Sequence, residues 1–170
     1  MTLRLIGAFL VIAACSGVGF SMAGNYKKQE VCLRQIIKAI DIFSCELEYR
    51  LSPLSNICRT VSETVEGSIG QVFCLLADKL EEQLCPDAVC CMYSVLQEEP
   101  RLPQICRSYL TQMGQTLGKF DISGQLSELA SVKVNCTEAL DALRLNRDVR
   151  IRNYKTLGLC AGAALAILLI

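Results

Sequence analysis

The stretch Arg144–Ile170, RLNRDVRIRNYKTLGLCAGAALAILLI, sets how the rest of the chain is arranged. Arg144, Arg147, Arg150, Arg152 and Lys155, against the single acid Asp148, lead into a run without charge from Leu157 to Ile170. A basic flank followed by an apolar run at the end of the chain reads as a retained membrane anchor. As a helix that run reaches only ~21 Å, short of a ~30 Å hydrocarbon core. Starting the span at Tyr154 places a Tyr and a Lys at the interface, where both sit well, so residues 154–170 form the expected span. Gly158, Gly162 and Ala166 recur every four residues, a small-residue stripe on which another membrane helix packs closely. The alternative for so short a run is a core helix closing a soluble bundle.

The start of the chain mirrors the end. Leu5–Gly24 is twenty residues without a charge, enough to cross a membrane, and residues 1–25 are the expected first transmembrane helix. Arg4 precedes it, and Lys27 and Lys28 follow. Ala13, Gly17 and Ser21 form a second small stripe, a candidate partner for the C-terminal one or for self-association. Two rivals compete with this reading. One is a cleaved signal peptide. The other is the lipobox-like Ile12-Ala13-Ala14-Cys15, whose acylated Cys15 would begin an exported lipoprotein with a helical ligand-binding domain. Against both, the apolar run continues nine residues past Cys15, and positive charge is heavier after the segment than before it.

Between the anchors, residues 26–153 are enough for one domain with a modest core. The chain has no net charge, yet the distribution is uneven. From Asp41 to Glu99 three basic residues face eleven acids, a net of −8, whereas the stretch from Arg144 onward is net +4. No basic patch lies away from the membrane flanks, which argues against nucleic acid as a partner. The basic helix before the last span suits anionic headgroups of the lipid bilayer instead.

Eleven cysteines raise the question of a disulfide framework or zinc. No C-x-x-C occurs, histidine is absent, and the count is odd. Cys58, Cys106 and Cys136 fall on apolar helical stripes, where cysteine acts as a small hydrophobe. Such usage suits a reducing cytosol. No metal or cofactor is expected.

Periodicity is helical throughout. Leu33, Ile36, Ile37, Ile40, Leu47 and Leu51 follow a 3.6-residue period, so the first helix is expected to run from the membrane to about Leu51. Ser52-Pro53 reads as N-cap and first residue of a second helix ending at Gly67. Ser68 is the expected cap of a third helix stopped by Pro86, and Asp87 of a fourth through Glu99. A fifth carries Cys106, Tyr109, Leu110, Met113 and Leu117 and ends at Gly118. Asp121 or Ser123 caps a sixth, with Ile122, Leu126, Leu129, Cys136, Leu140 and Leu143 inward. The expected fold class is all-α, an antiparallel bundle of about six helices with N- and C-terminal membrane helices. An even helix number returns the chain to the end where it began. Lys27, Lys28, Arg34 and Lys38 at one junction and the five-residue basic cluster at the other place the domain in the cytoplasm by the positive-inside tendency.

Catalysis finds little support in this pattern. Without histidine the Ser-His-Asp and Cys-His routes are closed, and no phosphate-binding glycine loop or nucleophile elbow is present. The pairs Glu46/Glu48, Glu81/Glu82 and Glu98/Glu99 do not face each other on a helix. The expectation is a protein that binds other proteins, not an enzyme.

Several motifs carry a resemblance that covers essentially the whole chain. They are the N-terminal span, Leu33 to Ala39, Cys45-Glu46-Leu47-Glu48-Tyr49 and Ser52-Pro53-Leu54. Leu117-Gly118-Lys119-Phe120-Asp121 with Gln125 follows, then Asn153-Tyr154-Lys155-Thr156-Leu157-Gly158-Leu159 with Gly162. Together they resemble the stage III sporulation protein AB family of endospore-forming bacteria. One departure is that tryptophan, frequent in that family's fourth-helix region, is replaced here by Met92-Tyr93. The resemblance implies a membrane protein of the mother cell, facing the forespore, within the channel complex that joins the two cells. It also implies similarity to the cytoplasmic domains of platform proteins of type II secretion and type IV pilus machines, hence a platform that meets the other channel proteins and a cytoplasmic ATPase.

The acidic middle supplies a candidate docking point. Glu46, Glu48 and Tyr49 lie on the last turn of helix one, beside the Ser52-Pro53-Leu54 corner. Acids there oppose the helix dipole at ~0.3–1 kcal/mol each, a placement that fits a partner site. Glu46, Glu48, Tyr49, Pro53 and Leu54 are therefore expected to dock a basic surface of the ATPase. Charge reversal at Glu46 and Glu48 is expected to block association without disturbing the fold.

Overall fold

The structure, a computed structural model, describes the backbone over residues 2–50, 52–83, 87–118 and 121–169, and side chains at 24–50, 52–83, 87–118, 121–145 and 156. Six helices make up its secondary structure, with no strand among the described residues. They are α1 (Thr2–Tyr49), α2 (Leu54–Thr64), α3 (Gly67–Glu81), α4 (Ala88–Glu98), α5 (Gln104–Thr116) and α6 (Ile122–Leu169). The chain divides into two compact units, Gln29–Leu140 and the terminal pair Met1–Lys28 with Asp141–Ile170. Among the described residues no helix is long and apolar enough to cross a membrane. The apolar ends, with Ala13, Cys15, Gly17, Ser21, Gly158, Gly162 and Ala166, lie outside the described side chains.

Within Gln29–Leu140, α1 buries Cys32, Leu33, Ile36, Ala39, Ile40, Phe43 and Leu47, a stripe at helical spacing. Its neighbours can be read from individual contacts. Lys38 donates to the Thr64 carbonyl at 2.7 Å, where α2 ends. Phe43 meets Phe73 of α3 with ring centroids 5.4 Å apart. Asp41 pairs with Lys133 of α6 at 2.6 Å. Further round, Lys79 of α3 reaches Ser94 and Glu98 of α4 at 2.9 and 2.6 Å, and the Tyr109 hydroxyl of α5 donates to the Asn135 carbonyl of α6 at 3.1 Å. The contacts of α1 with α2, of α5 with α6 and of α1 with α6 join residues of opposite rank, and Arg59 of α2 meets Asp78 and Glu81 late in α3. These neighbours run antiparallel. α3 and α4 depart from this, because Lys79 near the end of one meets Glu98 at the end of the other. The chain therefore enters at Gln29 and leaves at Leu140 on one end, and the α1–α2 turn, the turn that follows α3 and the α5–α6 turn gather at the other.

Two glycines let helices approach closely. A Cβ on Gly70, in the first turn of α3, would stand 2.2 Å from the Val65 carbonyl oxygen and 3.3 Å from that of Ser62. A Cβ on Gly114 of α5 would stand 2.8 Å from Met92 Cβ of α4. Met92, in the position noted for its lack of tryptophan, is 1% exposed and fills the space that Gly114 leaves.

The caps agree in part with expectation. Asp87 accepts from the Cys90 amide at 2.8 Å, and Asp121 accepts from the Gly124 amide at 3.2 Å and the Ser123 hydroxyl at 2.6 Å. Gly118, at φ 80°, terminates α5 in the left-handed region. The second helix differs: Pro53 is its N-cap rather than its first residue, because the Ser52 hydroxyl turns back to Glu46 at 3.4 Å. The third begins at Gly67 after Glu66, without a Ser68 cap, since α2 ends at Thr64 and leaves a short corner. The sixth keeps its expected face through Leu129, Cys136 and Leu140, with Val132 added to the core, but Ile122 at its start is 43% exposed. Leu126 and Leu143 sit at the margin.

Candidate functional site

The α1–α2 corner begins with Glu46, which sequence reasoning placed among the docking acids. It is only 8% exposed. Its carboxylate pairs with Arg50 at 3.2 Å and accepts from the Ser52 hydroxyl at 3.4 Å. Glu46 closes the end of α1 and holds the turn, so its carboxylate is engaged within the bundle. Arg50 lies one helical turn on and offsets the acid that would otherwise oppose the dipole. A reversal at Glu46 would break these contacts and is expected to loosen the corner. Glu48 and Pro53 are exposed, Leu54 is half-buried, and Tyr49 is 75% exposed.

The same end of the bundle collects more of this chemistry. Glu82 and Asp87 flank the α3–α4 turn and Asp121 the α5–α6 turn, all exposed, with Ile122 beside Asp121. The hydroxyl of Ser123 and the Gly124 amide hold the Asp121 carboxyl below its ordinary range, so it stays ionised. Acids occur at the opposite end as well, at Glu63, Glu66 and Glu99. The turns differ in their apolar component: those at the opposite end bury Val65 and Leu102, with Val31 exposed on α1 nearby, whereas Tyr49 and Ile122 point outward at the turns of this end. Much of the remaining acidity is internally paired. Arg59 bridges Asp78 and Glu81 at 3.0 Å, and Lys79 takes Glu98 at 2.6 Å.

The basic residues expected to flank the membrane divide. Lys27 and Lys28 are exposed. Arg34 pairs with Glu30, and Lys38 is engaged with α2, so these two serve the bundle. Arg144 pairs with Asp141 at 3.5 Å. Arg147, Arg150, Arg152 and Lys155 lie outside the described side chains.

Sequence reasoning missed Arg107. Its guanidinium donates to the carbonyls of Leu96 at 2.6 Å, Leu102 at 3.4 Å, and Glu99, gathering the C-terminus of α4 and the following loop onto α5. The available signal was an arginine one turn after the Pro100–Pro103 loop, within reach of a helix C-terminus.

Cys58, Cys106 and Cys136 are buried, as their stripes predicted. Burial pushes the Cys58 and Cys136 thiols from 9.0 up to about 12. Cys106 is raised as well, first by its hydrogen bond with Cys32 and then by burial. Because the folded values lie above the unfolded one, the neutral thiols contribute stability that is complete below pH 9 and lost as pH rises toward 12. The urea midpoint is expected to fall across that window, with a shallower fall in Cys58→Ala. Equal slopes in the two proteins would contradict this. Among the described residues no group of three or more His, Cys, Asp or Glu could hold a metal ion.

These features define a small all-α bundle protein whose best-formed exposed site is an acidic end with two outward apolar side chains. The family model for stage III sporulation protein AB matches residues 4–170, and the chain belongs to that family. A relative, stage III sporulation protein AB of Bacillus subtilis (strain 168), is 25% identical over 173 residues, covering 98% of this chain and 99% of its own. A solved structure of stage III sporulation protein AB shares the fold, with a TM-score of 0.64 at 17% identity over 72% of this chain and 98% of that one. The family is one of sporulation proteins, and the chain's role lies in spore formation.

Proposed function

We propose that this chain is a membrane-anchored assembly protein of the channel complex between mother cell and forespore, a platform that receives a cytoplasmic ATPase. The bundle would face the mother-cell cytoplasm, held by transmembrane helices at 1–25 and 154–170. Family membership supports the setting. The apolar runs with their basic flanks support the anchors.

The observation that carries the docking role is the end formed by the three turns. Glu48, Tyr49, Pro53 and Leu54 share it with Glu82, Asp87, Asp121 and Ile122. Tyr49 at 75% exposure is an aromatic side chain of the kind that dominates interfaces when a partner covers it. The acids around it would steer and orient a basic surface. This end lies opposite Gln29 and Leu140, where the chain enters and leaves the bundle.

The test uses Glu48→Lys with Glu82→Lys, leaving Glu46 intact. Both acids are exposed, so melting is expected to stay unchanged while association with the complex's ATPase falls at least about tenfold and spore yield drops with it. Unchanged association in the folded double variant would refute the docking role. Intact mass of the purified protein separately tests the anchors: a chain beginning at an acylated Cys15 would replace this reading with an exported lipoprotein.

A further inference from the structure

The α4–α5 pair carries a face unlike the rest of the bundle. Residues 88–97 and 104–117 hold a single charged residue, Arg107, in a chain that is 20% charged. That charge is turned inward, with its guanidinium on the carbonyls of Leu96, Glu99 and Leu102. Glu98, at the end of α4, is drawn to Lys79 on the α3 side. To solvent α4 presents Cys90, Tyr93 and Gln97, and α5 presents Gln104, Ser108, Gln112 and Gln115. Tyr93, midway along this face of α4, is 62% exposed. The two helices lie side by side and antiparallel, since the Gly114 position meets Met92 and Arg107 reaches Leu96. Tyr93 therefore stands level with Gln112 and Gln115. Elsewhere the exposed faces are charged, with Arg34, Asp41 and Glu48 on α1, Glu63 on α2, and Glu128 and Glu138 on α6.

We propose that this face joins a second copy of the chain, with α4 of each copy lying on α5 of the other about a two-fold axis. Depletion of charge around an exposed aromatic ring is the composition of an interface centre. The same composition selects the occupant. A strongly basic or acidic partner would lose water here without meeting an opposite charge. Glutamine amides and hydroxyls both donate and accept hydrogen bonds, so an identical face can satisfy them. In an isologous pair Tyr93 of each copy meets the 108–115 stretch of the other. A face of one charge sign could not pair with itself in this way.

The position of the face agrees. It lies along the side of the bundle, so an axis running along α5 sets Gln29 and Leu140 of both copies on the same side. The end that carries Tyr49 and Ile122 stays uncovered in each copy. With α5 of 13 residues the face is ~20 Å long and two helices wide, about 400 Å² per copy. Roughly 800 Å² in total falls just short of the ~1,000 Å² of a stable interface, so the pair forms and parts reversibly. Pairing here is independent of what docks at the Tyr49 end, and Glu48→Lys with Glu82→Lys leaves it intact.

A photo-crosslinking amino acid in place of Tyr93 tests the pairing in the full chain, with two differently tagged copies made together in sporulating cells. The expected product has twice the chain mass, carries both tags, and maps to the 108–115 stretch of the other copy. Ser108→Lys with Gln115→Lys sets like charges on both sides of the axis, and the product falls at least about tenfold. Ser108→Glu with Gln115→Glu does the same. Lysine and glutamate variants made together restore it, because the two faces now attract. Both positions are exposed, so melting stays unchanged. Should a charged variant melt early, the crosslink in the otherwise unmutated chain decides the matter. Adducts with another protein alone, no product carrying both tags, or a product indifferent to the charges would overturn the proposal.

Discussion

Replacing Gly70 by Ala is expected to destabilise the bundle by about 3 kcal/mol, the upper end of what overpacking a well-filled site costs. The added Cβ would stand 2.2 Å from the Val65 carbonyl oxygen and 3.2 Å from its carbon. These are backbone atoms, with no flexible side chain to move aside. Relief requires opening the corner between α2 and α3, which separates Val61 and Val65 from Ile69 and Phe73, all buried. A melting midpoint lowered by roughly 10–20 °C is the expected readout. By contrast Gly24, with nothing within 4 Å of its Cβ position, should accept Ala without loss. If Gly70→Ala melts with the unmutated protein, the close approach of these helices is wrong.

Removing Arg107 has the next largest expected effect. Its guanidinium satisfies carbonyls of Leu96, at the end of α4, and of Glu99 and Leu102 just beyond it, the Glu99 carbonyl also accepting from the Leu102 amide at 3.4 Å. Charge-assisted bonds to a helix C-terminus are worth more than neutral ones, and Arg107→Ala is expected to cost about 2–3 kcal/mol. Arg107→Lys should recover only part of this, because one ammonium cannot present the planar fork that reaches all three. Hydrogen exchange offers a local check: amides at the end of α4 should lose protection before those of α2. Uniform exchange in Arg107→Ala, or a loss under about 0.5 kcal/mol, would show that the guanidinium is a solvated surface group.

The helices were legible because their apolar residues repeat at a helical period, and Asp87, Asp121 and Gly118 were legible because caps and left-handed termini demand those residue types. The burial of Glu46 was not legible, for a different reason. A charge count treats every acid alike, yet Glu46 stands three residues after Phe43 and next to Leu47, on the buried stripe of α1. Its partner Arg50 was present at the spacing of a helical pair. Periodicity, applied to polar residues as well as apolar ones, would have turned it inward. The outward turn of Ile122 was harder to see. At the first position of α6 a side chain has only half a helical turn around it, and the face is set by the tertiary contacts of Leu129 and Val132. The gathering of Glu48, Glu82, Asp87 and Asp121 at one end depends on three separate turns, a coincidence visible only once the directions of the helices are known.

The central claim, that this end receives the ATPase, is tested most directly by photo-crosslinking in sporulating cells. A crosslinking amino acid replaces Tyr49, Glu82 or Ile122 at one end, and Glu66 or Arg101, both exposed, at the other. The account predicts adducts with the ATPase from the first three positions and none from the last two. Adducts from Glu66 or Arg101 with none from Tyr49, Glu82 and Ile122 would contradict it.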